Sequence, residues 1–180
     1  ENYEESSNYL KALWTQICET FNNDYDYHLI FETMNEPRPC GTEHEWYHNP
    51  NSIISKKFMG ALNKMNQDVV DTIRKSGGNN KYRMIMVPAL AASPDAATTV
   101  DFMMPKDTVE NRLAVSVHMY TPYNFAMGSP GDIKFTEAHK RDLSNVFKKL
   151  NRRFVSKGIP VVVGEMGATN KNNLEDRKKW

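Results

Sequence analysis

The chain has 180 residues, 39% of them hydrophobic, which suits one globular domain with a real core. Twenty-three basic against 22 acidic residues leave a net charge of +1 and exclude a broad electrostatic pull on nucleic acid or an anionic membrane. No apolar stretch is long enough to span a bilayer and no secretory signal is visible.

Helix period and strand period alternate along the chain. Leu10, Leu13, Ile17 and Phe21 step at helical spacing, and residues 28–34 read as a strand. Phe58, Leu62, Met65, Val69 and Ile73 share a helical face that Gly77 and Gly78 end. Residues 82–87 read as the next strand, closed by Pro88. Between Pro88 and Arg112 the periodicity fades, which suggests a long excursion with at most one short helix. Residues 112–119 form another strand, and Leu143, Val146, Phe147, Leu150 and Phe154 mark a helix that Gly158 caps. Residues 159–164 are the last strand, and 174–180 begin a further helix. Of the two cysteines, Cys18 falls in a helix and Cys40 in a loop, so free thiols are expected. The alternation predicts an α/β fold with a parallel sheet flanked by helices.

Strand parity refines this. Leu113, Val115 and Val117 share a face that would meet helices, while Ala114, Ser116, His118 and Tyr120 share the other. A face that starts small and turns polar suits the interior and mouth of a barrel. By the same alternation Glu165 shares a face with Val161 and Val163.

Two glutamates end apolar runs: Glu36 in Thr33-Met34-Asn35-Glu36-Pro37, and Glu165 in Val161-Val162-Val163-Gly164-Glu165. Each could be an incidental acid in a turn. Together, with His118 and Tyr120 at the same end of a third strand, they are candidates for chemistry, since parallel-strand folds keep their reactive groups there. Two carboxylates face to face can break a glycosidic bond.

Asn35-Glu36-Pro37, His118-x-Tyr120 and Gly164-Glu165, in this order, resemble glycoside hydrolase family 5, the retaining cellulase family with a (β/α)8 barrel. The resemblance spans the whole chain and implies strands four to seven of a TIM barrel. It implies that Glu36 is the general acid/base, Glu165 the nucleophile, and Asn35 the partner of the sugar 2-hydroxyl. His118 would contact substrate or orient Glu36, and Tyr120 would hold Glu165 through its hydroxyl. It implies an endo-acting β-1,4-glucanase on cellulose or mixed-linkage glucan, with mannan, xylan or xyloglucan as alternatives. No cofactor or metal is needed, and a polymer substrate implies secretion.

His44-Glu45-Trp46-Tyr47-His48 matches the zinc-protease pattern, but Pro37, Pro39 and Gly41 before it and Pro50 after it leave no room for the long helix that pattern requires. A loop overlooking the cleft is expected instead, with Trp46 or Tyr47 available to stack on a sugar. Glu32 shares the parity of Glu36 and is expected to pair with a basic group, and His28 and His139 read as surface or strand-edge residues.

A complete barrel needs about 250 residues. Residues 1–180 therefore read as about half of one catalytic domain. Three readings stay open: a piece of a larger enzyme, a chain that closes the ring with a second copy, or an open half-barrel that binds carbohydrate without turnover.

Overall fold

The computed structural model describes residues 3–180. Its elements run α1 (Tyr3–Thr20), β1 (Phe31–Glu32), α2 (Ile53–Lys75), β2 (Ile85–Pro88), α3 (Pro94–Ala97), β3 (Leu113–Met119), α4 (Tyr123–Ala126), α5 (Glu137–Arg153), β4 (Val161–Met166) and α6 (Leu174–Arg177). Among the described residues the strands form one parallel sheet in chain order, β1-β2-β3-β4. No helix there is long and apolar enough to cross a membrane.

Register partners in a parallel sheet project to the same side, so the pairing sorts the two faces. Ile85 aligns with Phe31 and Leu113, Val87 with Val115, and Val115 with Val161. This apolar row meets the helices. Met59, Leu62, Val69, Val70 and Ile73 of α2, Trp14 and Cys18 of α1, and Val146 and Leu150 of α5 pack against it as one buried cluster. The Leu/Val face of β3 therefore points where the sequence placed it. On the opposite face lie Glu32, Met86, Ala114, Ser116 and His118.

Local chemistry sets the helix ends. The Ser52 hydroxyl accepts from the Ser55 amide to start α2. Thr136 starts α5, and His139 returns the bond as a capping box. His139 thus sits in a helix cap beside Asp132, not at a strand edge. Ser93 and Pro94 open α3, the one short helix of the excursion after β2, which also carries a 3-10 turn at Leu90–Ala92.

The first strand is much shorter than the sequence suggests, and Arg83 acts at its N-terminal end. The residue is 1% exposed, guanidinium included. It donates to the main-chain carbonyls of Phe21, Asn22, Tyr25, Asp26 and Leu29, and to the Asn80 side chain. Of these carbonyls only that of Leu29 falls within the expected strand; turned toward the cation, it does not join the ladder, and pairing begins at Phe31. Arg74 reinforces the same end of the sheet. It grips Asp107 with two bonds of 2.8 and 2.7 Å and donates to the carbonyls of Asn80 and Arg83.

Candidate active site

The opposite end of the sheet gathers the titratable groups. Glu36 lies in the turn after β1, held by the links between neighbouring strands. The Trp14 indole donates to the Thr33 carbonyl at 3.0 Å, and the Thr33 hydroxyl donates to Asn66. Asn66 in turn donates to the Pro88 carbonyl at the end of β2. The Ala91 amide donates to the Pro37 carbonyl at 2.8 Å, tying the loop after β2 to the turn that carries Glu36. Ala91 and Ala92 take φ values of 53° and 48°. An L-residue there costs roughly 1–2 kcal/mol, so this loop is held against its own preference beside the cleft.

Glu165 reaches the same place by a break in register. Val117 pairs with Val163, but His118 pairs with Glu165. Gly164 is the extra residue of this β-bulge. Simple alternation puts Glu165 on the face of Val161 and Val163, and that expectation is corrected here. Val163 packs against the helix-side core, whereas Glu165 projects with His118 into the barrel side. A Cβ at Gly164 would stand 3.3 Å from the Ser116 hydroxyl oxygen and 3.7 Å from the His118 ring, so the bulge is tightly seated.

The resulting geometry is compact. His118 Nδ1 lies 2.8 Å from Glu36 Oε1 and 3.3 Å from Glu165 Oε2. One oxygen of each glutamate and His118 Nδ1 all fall within 4.8 Å of one another. The Tyr120 hydroxyl donates to Glu165 Oε2 at 3.0 Å. Burial, then that hydrogen bond and the negative charge of both glutamates, push the Tyr120 phenol above its ordinary range, which keeps it a donor. The His118 side chain is buried, while those of Glu36 and Glu165 keep partial access to solvent.

The groups open into a cleft of roughly 630 Å³ lined also by Trp46, Ala91, Tyr123 and Met127. Trp46 and Tyr123 are exposed, and such flat apolar faces beside a few convergent polar groups suit a sugar. Grooves of similar volume on the outer surface, flanked by Asp95, Lys149 and Arg152, lack that convergence.

Some expectations need adjusting. Asn35 sits beside Glu36 but is exposed and does not line the cleft. Glu32 takes its hydrogen bond from the Ser116 hydroxyl, not from a basic group. Residues 42–48 form turns rather than a helix, and the two histidines of the H-E-x-x-H match go different ways. His44 meets Ser52, while His48 meets Ser55 and Asp101. Trp46 rims the cleft, and Tyr47 faces an outer groove. Cys18 is buried and Cys40 exposed, and neither is bridged.

Arg38 is the residue sequence reasoning missed. It donates to the Glu36 carbonyl at 3.1 Å, stands 3.7 Å from Glu36 Oε2, pairs with Glu45 and lies 4.1 Å above the Trp46 ring. A cation two residues beyond a suspected catalytic acid, with an acid and an indole a short loop away, was the available signal.

Parallel strands in chain order, a helix-covered outer face and a functional mouth at the strand C-termini make this half of a (β/α)8 barrel. The model of the cellulase family, glycosyl hydrolase family 5, matches residues 1–180. Endoglucanase B of Neocallimastix patriciarum is 39% identical over 180 residues, covering 100% of this chain and 36% of that protein. Endoglucanase A of Clostridium longisporum is 43% identical over 171 residues, covering 93% and 31%. A family 5 lichenase from Caldicellulosiruptor sp. F32 superposes with a TM-score of 0.92 at 43% identity, over 97% of this chain and 49% of its own. A broad specificity endoglucanase from Ruminococcus champanellensis, solved with cellotriose, gives 0.89 at 41%, over 99% and 50%. The chain belongs to glycoside hydrolase family 5. It spans about half the length of these solved structures and about a third of the two endoglucanases.

Proposed function

We propose that the protein carrying this chain is a retaining glycosidase that cuts internal β-1,4 bonds of glucans. The observation that carries the reading is the spacing of the carboxylates, whose nearest oxygens lie within 4.8 Å. Retaining enzymes hold their carboxyl groups about 5–5.5 Å apart, while inverting enzymes leave about 6.5–9.5 Å for a water.

Glu165, aimed by Tyr120, attacks the anomeric carbon. Glu36 gives its proton to the departing glycosidic oxygen, and the glycosyl group becomes an ester on Glu165. Glu36, now ionised, takes a proton from water, which attacks the same carbon and frees Glu165. His118, donating between the two carboxylates, keeps them oriented. Asn35, exposed beside Glu36 and outside this half of the cleft, would meet the sugar 2-hydroxyl only once the rest of the barrel completes the site. Trp46 and Tyr123 offer stacking faces along the chain. Similarity to a lichenase and to a broad specificity endoglucanase bound to cellotriose supports cellulose and mixed-linkage glucan as substrates.

The open interior face of the sheet calls for further strands, and the length of the relatives supports a missing half of the same catalytic domain rather than a second copy. A polymeric substrate supports action outside the cell.

The test is chemical rescue in the full-length protein. Glu36→Gln should lose hydrolysis of β-glucan and regain turnover of an activated aryl glycoside when azide is supplied. A 2-fluoro glycoside should label Glu165. Label elsewhere, or undiminished turnover in either Glu→Gln variant, overturns the assignment.

A further inference from the structure

The cluster at the mouth of the sheet is more than a pair of acids. It joins two carboxylate oxygens to one imidazole nitrogen, and this donor set suits a borderline divalent ion such as Zn2+ better than the all-oxygen shells of Ca2+ or Mg2+. The spacing can be compared with that of a bound ion. At metal–donor distances of about 2.0–2.2 Å, tetrahedral donors stand about 3.3 Å apart. His118 Nδ1 is already 2.8 Å from Glu36 Oε1 and 3.3 Å from Glu165 Oε2. The remaining separation lies within 4.8 Å, and rotation about the terminal glutamate torsions closes it.

The surroundings favour an ion as well. Among the described residues Arg38 approaches Glu36 through Oε2, which leaves Oε1 to His118 Nδ1. The Tyr120 hydroxyl fixes Glu165 Oε2 as an outer partner fixes a metal ligand. His118 is packed so that Nδ1 points at the carboxylates from a buried ring.

We propose that Glu36, His118 and Glu165 form an inhibitory site for zinc-class divalent ions. Binding needs His118 Nδ1 and both carboxylates free of protons, so any proton they hold passes to solvent. The ion then holds both carboxylates at once, so neither can transfer a proton or attack carbon. Inhibition rests on the catalytic reading above, whereas binding does not.

The experiment uses the full-length protein with Zn2+ in calorimetry and Co2+ as an optical probe. One ion should bind per molecule. Glu165→Gln and His118→Ala should each weaken Co2+ binding at least about tenfold. His48→Ala, in the loop histidine pair, should leave it unchanged. EDTA should restore hydrolysis lost to Zn2+. No binding below about 1 mM, binding that survives Glu165→Gln, or binding lost with His48→Ala overturns the site. If Co2+ binding tracks the three residues in a protein without glucanase activity, the metal site stands and the catalytic reading falls.

Discussion

The two ends of the sheet bury charge in opposite ways. At the N-terminal end, Arg83 and Arg74 spend their donors on fixed main-chain carbonyls and on Asp107. At the C-terminal end, Glu36 and Glu165 hold oxygens around a cleft, with solvent still reaching them. A saturated charge stabilises its surroundings and does nothing else. A charge with spare valence costs more to keep and can do chemistry. The contrast predicts that substitutions at one end change stability without touching the reaction, and that those at the other do the reverse.

The sharpest way to break the comparison is a crossed pair. Glu36→Gln should lower kcat by about 10²–10⁴-fold with little change in melting temperature. Arg83→Met should lower stability by roughly 4–5 kcal/mol, because several carbonyls lose their donor inside the protein. Its kcat, measured on protein that remains folded, should stay near wild type. A large kcat loss in Arg83→Met would show that the two ends are coupled.

Asp107→Asn comes next. Arg74 and Asp107 each expose only 6% of the side chain, and removing one member of such a pair costs about 3–5 kcal/mol. The lower end is expected, since Arg74 keeps its bonds to the Asn80 and Arg83 carbonyls. Urea unfolding measures it, and a loss under about 1 kcal/mol would mean the pair behaves as an exposed one.

At the other end, Tyr120→Phe removes one hydrogen bond to a carboxylate. Bonds to charged groups are worth about 1.5–3 kcal/mol, so kcat should fall by about 10–100-fold. Unfolding in urea should barely move, and a stability loss without a rate loss would reassign Tyr120 to packing.

The same contrast explains what the sequence could disclose. Hydrophobic period located each helix and strand of the core, because Val69, Ile73, Val115 and Val146 sit where burial alone puts them. Asn-Glu-Pro, His-x-Tyr and Gly-Glu marked the residues that now surround one cleft, apart from Asn35. What stayed hidden depended on partners distant in the chain. Arg83 draws the Leu29 carbonyl away from β1, and no local pattern in residues 28–34 records that. The register break at Gly164 reverses the parity of Glu165, and Val-Val-Val-Gly-Glu reads the same with or without it. Ser116 takes the place of a base for Glu32 because it projects from the same face of the sheet two strands away, which no sequence neighbour records.

The smallest expected effect concerns acid. Burial alone would raise the Asp107 carboxyl, but the Arg74 hydrogen bonds and charge outweigh it and hold the group below the usual carboxylate range. A carboxyl depressed in the folded state adds stability above its unfolded pKa, about 3.9, and loses that contribution as pH falls through the folded value. The stability gap between wild type and Asp107→Asn should therefore be flat from pH 7 to about pH 5. Below about pH 4 it should shrink as the wild-type carboxyl takes up its proton. Urea midpoints at pH 7, 5, 4 and 3 would show it. A gap that widened toward acid would mean that Asp107 is neutral in the folded protein, and that the N-terminal end holds Arg74 by its carbonyls alone.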